Sequence, residues 1–209
     1  MKNTKKLCLL ALFVIFCAVI LSCASSGGAK DAGGQDKPTL VVGDWFAYSD
    51  ADPGSGNNGS STVKFTTGKE TINGEEVTVC HVTGNVTTKY QYGFSGWGIV
   101  ADEKSFELYK TAKSLSFWIL GDGQRYTIKF VINSVKDYGD YEYTFTTEKG
   151  VPKKIEVPMK YFMQPSWAKP VKMDQTLVTQ IQWQTHESWR KAGNNNPFDI
   201  KIWGFTVYN

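Results

Sequence analysis

The stretch that decides the fold class reads LSFWIL at 115–120, GDG at 121–123 and YTIKFVI at 126–132. Both apolar runs are rich in β-branched and aromatic residues, which favour strands. An Asp-Gly turn between two such runs predicts a β-hairpin. A second pair, from Tyr141 to Thr147 and from Lys153 to Val157, repeats the pattern across a turn that contains Gly150. These segments predict antiparallel β structure.

Similar short runs continue on both sides of this stretch, separated by clusters of Gly, Asn, Asp and Pro. We predict further strands at 39–42, 63–67, 77–83, 96–100, 178–184 and 200–208. The segment 102–113 has some helical character, although Phe106 and Tyr109 could equally pack from a loop. About ten strands without a long helix predict an all-β fold, an antiparallel two-sheet sandwich.

The N-terminus carries three lysines, an apolar run at 7–21 and then Leu21-Ser22-Cys23. The run is shorter than the roughly 20 residues of a membrane-spanning helix and suits a signal peptide. The motif looks like a bacterial lipoprotein signal, with residues 1–22 removed and Cys23 acylated. Residues 23–37, rich in Ala, Gly and Ser, are predicted to be a flexible tether. Residues 38–209 then form one domain, anchored to a bacterial membrane, and Ala24 after the cysteine favours the outer membrane or cell surface where two membranes exist.

Charge and cysteine content exclude several classes of function. The 23 Lys and Arg residues exceed the 20 Asp and Glu residues by three, and Lys2, Lys5 and Lys6 belong to the signal. The mature chain is therefore expected to be neutral, which argues against nucleic-acid binding. Among the four cysteines, only Cys80 lies in the predicted domain, so no disulfide forms within it. Cys80 lies in an alternating strand pattern, and we predict that it is a buried apolar residue, not a nucleophile.

No set of residues in the sequence predicts catalysis. Glycoside hydrolysis needs two carboxylates that flank the scissile bond, whereas the acidic residues here lie mostly in turns or alternate along strands. His81 lies in a strand, and His186 lies beside Glu187 without a nearby nucleophile. We therefore expect a protein that is not an enzyme.

The aromatic residues give a more specific indication. Many lie beside polar residues, and a sugar ring is bound by stacking its C–H face on an aromatic ring while polar side chains bind its hydroxyl groups. Aromatic residues also fill β-sandwich cores. Trp118 and Trp203, inside apolar strands, are predicted to be core residues, and Tyr138 is predicted to be exposed.

Four segments in order resemble a known family: DWFAYSD at 44–50, SLSFWILGDG at 114–123, KIEVP to YFMQPSW at 154–167, and the closing 177–183 with FDIKIWGF at 198–205. They are similar to galactose-binding-like β-sandwiches, among them family 11 carbohydrate-binding modules and the domain of the complex I intermediate-associated protein. The resemblance implies a jelly roll, often with a structural calcium ion, whose concave face binds β-glucan. Gly204-Phe205 replaces the usual Asp pair of the closing strand, which weakens the calcium expectation. The positions that match the family's binding groups are Tyr48, Asp137, Tyr138, Asp140, Tyr141 and Tyr143.

The sequence thus predicts a lipid-anchored, non-catalytic module that binds a polysaccharide or oligosaccharide. An alternative is a lipoprotein of the same fold that binds a protein partner during assembly. A more remote alternative is an accessory protein of a glycoside hydrolase.

Overall fold

A computed structural model describes residues 38–190 and 195–209. The predicted signal, Cys23 and tether lie outside the described residues and stay predictions. The described residues belong to one compact unit. Within the described ranges, no helix has both the length and the apolar character to cross a membrane.

The described residues form eleven strands and one α-helix. The strands are β1 (Thr39–Leu40), β2 (Gly43–Ser49), β3 (Thr62–Ile72), β4 (Glu75–Val86), β5 (Phe94–Ala101), β6 (Ser114–Leu120), β7 (Arg125–Ile132), β8 (Tyr141–Thr146), β9 (Pro152–Pro158), β10 (Val178–His186) and β11 (Asn196–Tyr208); α1 is Glu103–Tyr109. The helical alternative for 102–113 is confirmed, because Asp102 caps α1 by accepting a hydrogen bond from the Ser105 backbone N–H at 2.7 Å.

The strands form two antiparallel sheets, which confirms the sandwich prediction. The first sheet has the order β3-β4-β11-β6-β9, with β1 also paired to β11, and the second has the order β2-β5-β10-β7-β8. Alternate residues of each strand point into the space between the sheets, where they form one apolar core. Phe117 of the first sheet, for example, meets Trp183 of the second edge to face at 5.4 Å between ring centroids.

The predicted hairpin pairings are wrong, although the strands themselves are correct. β6 pairs with β9 and β7 pairs with β8, so each predicted turn carries the chain from one sheet to the other. The apolar faces of β6 and β7 thus meet across the core instead of lying side by side. Asp122 fixes the first crossover, since its carboxylate accepts hydrogen bonds from the Gln124 backbone N–H at 3.0 Å and the Tyr126 hydroxyl at 2.8 Å.

One of the two predicted core tryptophans is exposed. Trp118 is 38% exposed and stacks on Trp203 at 6.1 Å, on the outer face of the first sheet. Trp203 is nearly buried at 7% exposure. The two rings cover each other because their strands place them directly opposite in the register of β6 and β11. Cys80 is buried as predicted, and burial raises the pKa of its thiol to about 12.

Candidate functional site

The outer face of the second sheet carries the polar and aromatic side chains of the candidate site. The core side of this sheet is occupied by residues such as Trp97 and Trp183, which pair directly in the strand register. Their neighbours along each strand therefore point outward. The strand registers place these residues in two rows across the sheet: Phe46, Gly98, Gln182, Lys129 and Glu142 in one, and Tyr48, Gly96, Gln184, Thr127 and Thr144 in the other.

Three aromatic rings form a platform on this face. Phe46 and Tyr48 stack at 6.0 Å with an interplanar angle of 26°, and Phe94 meets Tyr48 at 6.0 Å. The first two rings lie over β5 because its outward positions are glycines. A Cβ atom on Gly96 would lie 2.2 Å from Tyr48 Cζ, and one on Gly98 would lie 2.6 Å from Phe46 Cζ. The two glycines thus make the space that the platform occupies.

Two glutamine amides lie beside the platform on β10. The Tyr48 hydroxyl donates a hydrogen bond to Gln182 Oε1 at 2.6 Å, which fixes the ring and the amide together. Gln184 is only 5% exposed, and its Oε1 has no hydrogen-bond partner in the protein. A buried amide oxygen without a partner is unusual in native proteins. Its position on the outer face suits a hydroxyl donor from a bound molecule.

Charged groups surround the amides, and their pKa values are shifted mainly by burial. Burial raises the pKa of Asp140 and of Glu142, while the positive charge of Lys129 opposes the rise in both. Burial, with a smaller contribution from Lys129, lowers the pKa of His186 to about 4, so this imidazole is neutral at pH 7. Burial also raises the pKa of the Tyr48 hydroxyl, and the charge of Asp140 adds to it. The face is therefore polar but carries charges of both signs.

A further aromatic group lies at the His186 end of β10. The Trp189 ring meets the His186 ring edge to face at 4.7 Å, and the Arg125 guanidinium lies 5.9 Å from the Trp189 ring centroid. His186 pairs with Phe94 in the strand register, so this group adjoins the platform. An elongated ligand that crosses the sheet would meet aromatic rings here as well.

The structure brings together only some of the residues proposed from the sequence. Tyr48 lies in the platform, and Asp140 is close enough to act on its pKa. Asp137 braces a loop, since its carboxylate accepts hydrogen bonds from the backbone N–H groups of Gly139 at 3.1 Å and Lys169 at 2.7 Å. Tyr138, predicted to be exposed, is 85% exposed on that loop.

Tyr141 and Tyr143 lie on the other side of β8. Both rings are partly buried and pack against the core, and the Tyr141 hydroxyl donates to the Val171 carbonyl. The assignment of these two tyrosines to a glycan site stays a prediction, but their rings do not lie on the face described above.

Sequence reasoning missed Phe46, Gln182, Gln184, Lys129 and Glu142. A signal was present in the alternation Gly96-Trp97-Gly98 of β5 and Gln182-Trp183-Gln184 of β10. In each, a buried tryptophan marks the core side, so the flanking residues belong to the outer face.

The described residues include no candidate set of metal ligands. Within the part of the chain that the structure describes, no group of three or more His, Cys, Asp and Glu residues could hold a metal ion. The buried carboxylate of Asp50 is occupied by hydrogen bonds from the Ser61 backbone N–H and hydroxyl, both at 2.8 Å, and from the Phe94 backbone N–H at 3.1 Å. Structural calcium, expected from the family resemblance, stays a prediction.

Two antiparallel sheets packed face to face around one core form a β-sandwich. The family model of complex I intermediate-associated protein 30 (CIA30) matches residues 35–202 of this chain. The chain belongs to the CIA30 family. No curated protein matches its sequence.

A solved structure of a carbohydrate-binding module has a similar fold. The family 11 carbohydrate-binding module of the cellulosomal cellulase Lic26A-Cel5E of Clostridium thermocellum matches with a TM-score of 0.52 and 16% identity, over 84% of this chain and 96% of the module. A structure described as "CBM4 structure and function" matches with a TM-score of 0.40 and 16% identity, over 83% of this chain and 94% of that chain. An exo-beta-agarase matches with a TM-score of 0.47 and 13% identity, over 82% of this chain but only 26% of the agarase. At 16% identity, the first match shows a similar fold and nothing about function. The other two matches have TM-scores below 0.5 and do not establish even the fold.

Proposed function

We propose that this chain is a non-catalytic carbohydrate-binding protein that holds a β-glucan-type polysaccharide on the outer face of its second sheet. The observation that carries the proposal is the platform of Phe46, Tyr48 and Phe94 beside the unpartnered amide oxygen of Gln184. The similar fold of a carbohydrate-binding module from a cellulase supports a carbohydrate as the ligand.

The geometry suits a sugar ring in two respects. The apolar face of a pyranose stacks on an aromatic ring, and the platform offers rings that the glycines of β5 hold in place. The hydroxyl rim needs donors and acceptors at fixed positions, and Gln182, Gln184, Lys129 and Glu142 present both. A bound sugar hydroxyl that donates to Gln184 Oε1 would satisfy the buried amide, which costs about 1–3 kcal/mol when left unpaired.

The carboxylates on this face are not arranged as they are in a glycosidase, so we propose binding without catalysis. Asp140 and Glu142 are the two acidic residues with raised pKa values on this face. Asp140 directly precedes β8 and Glu142 is the second residue of that strand, so the two carboxylates are two positions apart at one edge of the second sheet. We place both on the same side of a bound chain. A glycosidase places its two carboxylates on either side of the scissile bond.

Calorimetric titration of the fragment Asp36–Asn209 with cello-oligosaccharides and mixed-linkage β-glucan, with and without calcium, tests the proposal. We expect binding that falls about tenfold in Tyr48→Ala and in Gln184→Ala, since 1.4 kcal/mol corresponds to a tenfold change in affinity. Trp118→Ala removes an exposed ring on the other sheet and serves as the matched control. Equal binding in all three variants, or release of reducing ends that stops in Asp140→Asn, would contradict the proposal. Absence of glycan binding by the folded fragment, with recovery of a protein partner, would favour the assembly role instead.

The proposal includes the predicted lipid anchor. Acylation of Cys23 would place the sandwich on a bacterial membrane, at the outer membrane or cell surface where two membranes exist. Mass spectrometry of the full chain from membranes tests this, with Cys23→Ala as the control. An unmodified Cys23 in the mature chain would refute the anchor without affecting the glycan site.

A further inference from the structure

The strand registers bring the point of chain entry and several loops to one end of the sandwich. Thr39 of β1 pairs with Val207, and Ser114 at the start of β6 pairs with Tyr208 and with Pro158. The start of β10 pairs with the end of β7 at Ile132. Residue 38 and the connections 102–113, 133–140 and 159–177 therefore lie at the same end, which we call the entry end.

Exposed apolar side chains are concentrated at the entry end. Tyr138 is 85% exposed, Met163 and Trp167 are each 68% exposed, and Tyr161 is 53% exposed. Leu40 and Val42, next to the point of entry, are also more than half exposed. Among the exposed large apolar side chains of the described residues, Tyr92 and Val151 lie at the opposite end, and Trp118 lies on the first sheet two residues from the opposite end of β6. Exposed apolar side chains that are concentrated in one region, unlike isolated ones, indicate an interaction surface.

The loops that carry these rings are braced. Gln164 Nε2 donates to the Gly139 carbonyl at 2.7 Å, and the Lys169 backbone N–H donates to Asp137 at 2.7 Å, so the two loops are tied together. Met163 and Glu142 exchange two backbone hydrogen bonds at 2.9 and 3.0 Å, which ties one loop to β8. These bonds fix the two loops that carry the exposed side chains.

The positive charge of the entry end is concentrated on one of these loops. The connection 159–177 carries Lys160, Lys169 and Lys172, all exposed, against the single acid Asp174. The connection 133–140 carries Lys136 against Asp137 and Asp140, so the loop with Tyr161, Met163 and Trp167 is the one that favours an anionic surface. The Lys160 ammonium lies 5.1 Å from the Tyr161 ring centroid. Tyrosine and tryptophan with an apolar body and a polar tip are enriched where membranes meet water, and adjacent lysines attract anionic headgroups.

We propose that the entry end docks directly on an anionic lipid bilayer, through Tyr138, Tyr161, Met163 and Trp167 with Lys160, Lys169 and Lys172. A chain that enters the sandwich at this end and carries lipid at Cys23 would bring the same surface to the membrane. The docking surface belongs to the sandwich itself, so it acts without the lipid. It adjoins the glycan face at Met163, which pairs with Glu142 at the edge of the second sheet.

The test measures binding of the fragment Asp36–Asn209, which carries the complete core, to lipid vesicles in the absence of any glycan. Sedimentation with vesicles of phosphatidylcholine alone and of equal parts phosphatidylcholine and phosphatidylglycerol gives the two partition coefficients. We expect binding to the anionic vesicles that weakens with added salt. Trp167→Ala should weaken it by roughly tenfold, the loss expected when a large side chain is no longer buried. The triple change Lys160→Glu, Lys169→Glu and Lys172→Glu should abolish it.

Tyr92→Ala is the matched control, because Tyr92 is 64% exposed at the opposite end. It should bind vesicles like the unmodified fragment, and circular dichroism should show all variants folded. The proposal is overturned if the fragment binds neither vesicle, or if binding is unchanged in Trp167→Ala and in the triple variant. A Trp167→Ala variant that loses glycan affinity but keeps vesicle binding would instead assign the surface to the sugar. If Tyr48→Ala loses glycan binding but still binds vesicles, the glycan site and the membrane-docking surface are distinct sites.

Discussion

Gly96→Ala tests whether the glycines of β5 hold the aromatic platform in place. The added Cβ would lie 2.2 Å from Tyr48 Cζ and 2.5 Å from its hydroxyl oxygen. Ordinary contact begins near 3.5 Å, so the ring must withdraw by roughly 1.3 Å. Only the far end of a side chain stands in the way, and the strand backbone can stay in place.

The expected change in stability is small because two effects oppose each other. Withdrawal of the ring breaks the 2.6 Å hydrogen bond from Tyr48 to Gln182, at a cost of about 1 kcal/mol. Replacing glycine by alanine inside a strand stabilises by about 0.5–1 kcal/mol. The free energy of unfolding of Gly96→Ala should therefore stay within about 1 kcal/mol of the parent, with Tm within about 4 °C. Glycan affinity should fall about tenfold, because the stacking platform is displaced.

Gly68→Ala is the matched control. Gly68 lies in β3, and a Cβ there meets nothing within 4 Å. This variant should gain about 0.5–1 kcal/mol in urea denaturation and bind glycan unchanged. The reasoning is refuted if Gly96→Ala binds glycan as tightly as the parent. It is equally refuted if Gly96→Ala loses more than about 3 kcal/mol of stability, since the clash would then involve more than a movable ring.

Three further predictions concern buried groups. Asp50→Ala removes the acceptor for Ser61 and Phe94 and should cost about 3–5 kcal/mol in urea denaturation, while Asp50→Asn should cost less; equal losses would contradict the account. Burial lowers the pKa of His186 from 6.5 to about 4. Between these two pH values the imidazole is protonated in the unfolded chain but not in the folded one, so stability falls as the pH drops from 6.5 towards 4. His186→Gln should flatten that part of the stability profile, and an unchanged profile would show that other groups cause it. The Cys80 thiol should not react with a thiol reagent in the native state but should react in urea, because burial raises its pKa to about 12; rapid native labelling would contradict its burial.

The strands could be predicted from the sequence, but their pairing could not. Runs such as LSFWIL at 115–120 are recognisable as strands from their composition, and the structure has a strand at each predicted position. The turn at Gly121-Asp122-Gly123 has the residues of a hairpin, yet it joins the two sheets. Short-range turn chemistry does not reveal whether two apolar faces meet within one sheet or across a core. The prediction for Trp118 was wrong for a related reason, since a seven-residue strand with five buried residues gives little indication of its outward positions.

The candidate site was only partly predictable because its chemistry depends on register. Tyr48 could be chosen from the family resemblance, and Asp140 lies close to it. Tyr141 and Tyr143 lie one and three positions after Asp140, but the alternation of β8 turns their rings towards the core. Gln182 becomes informative only when β2 and β10 are known to flank β5, because that arrangement brings its amide to the Tyr48 hydroxyl.

The position of β11 has a consequence for how the chain acquires its structure. This strand, Asn196–Tyr208, lies between β4 and β6 in the centre of the first sheet, although it is the last strand along the chain. The N-terminal half of the first sheet therefore has no partner on one side until the C-terminal residues are available. Such long-range pairing gives a high contact order and slow folding, on the millisecond-to-second scale. A chain emerging from a ribosome or a translocation channel would stay without a stable tertiary structure until synthesis or transfer reaches Tyr208, and it would then fold in one late, cooperative event.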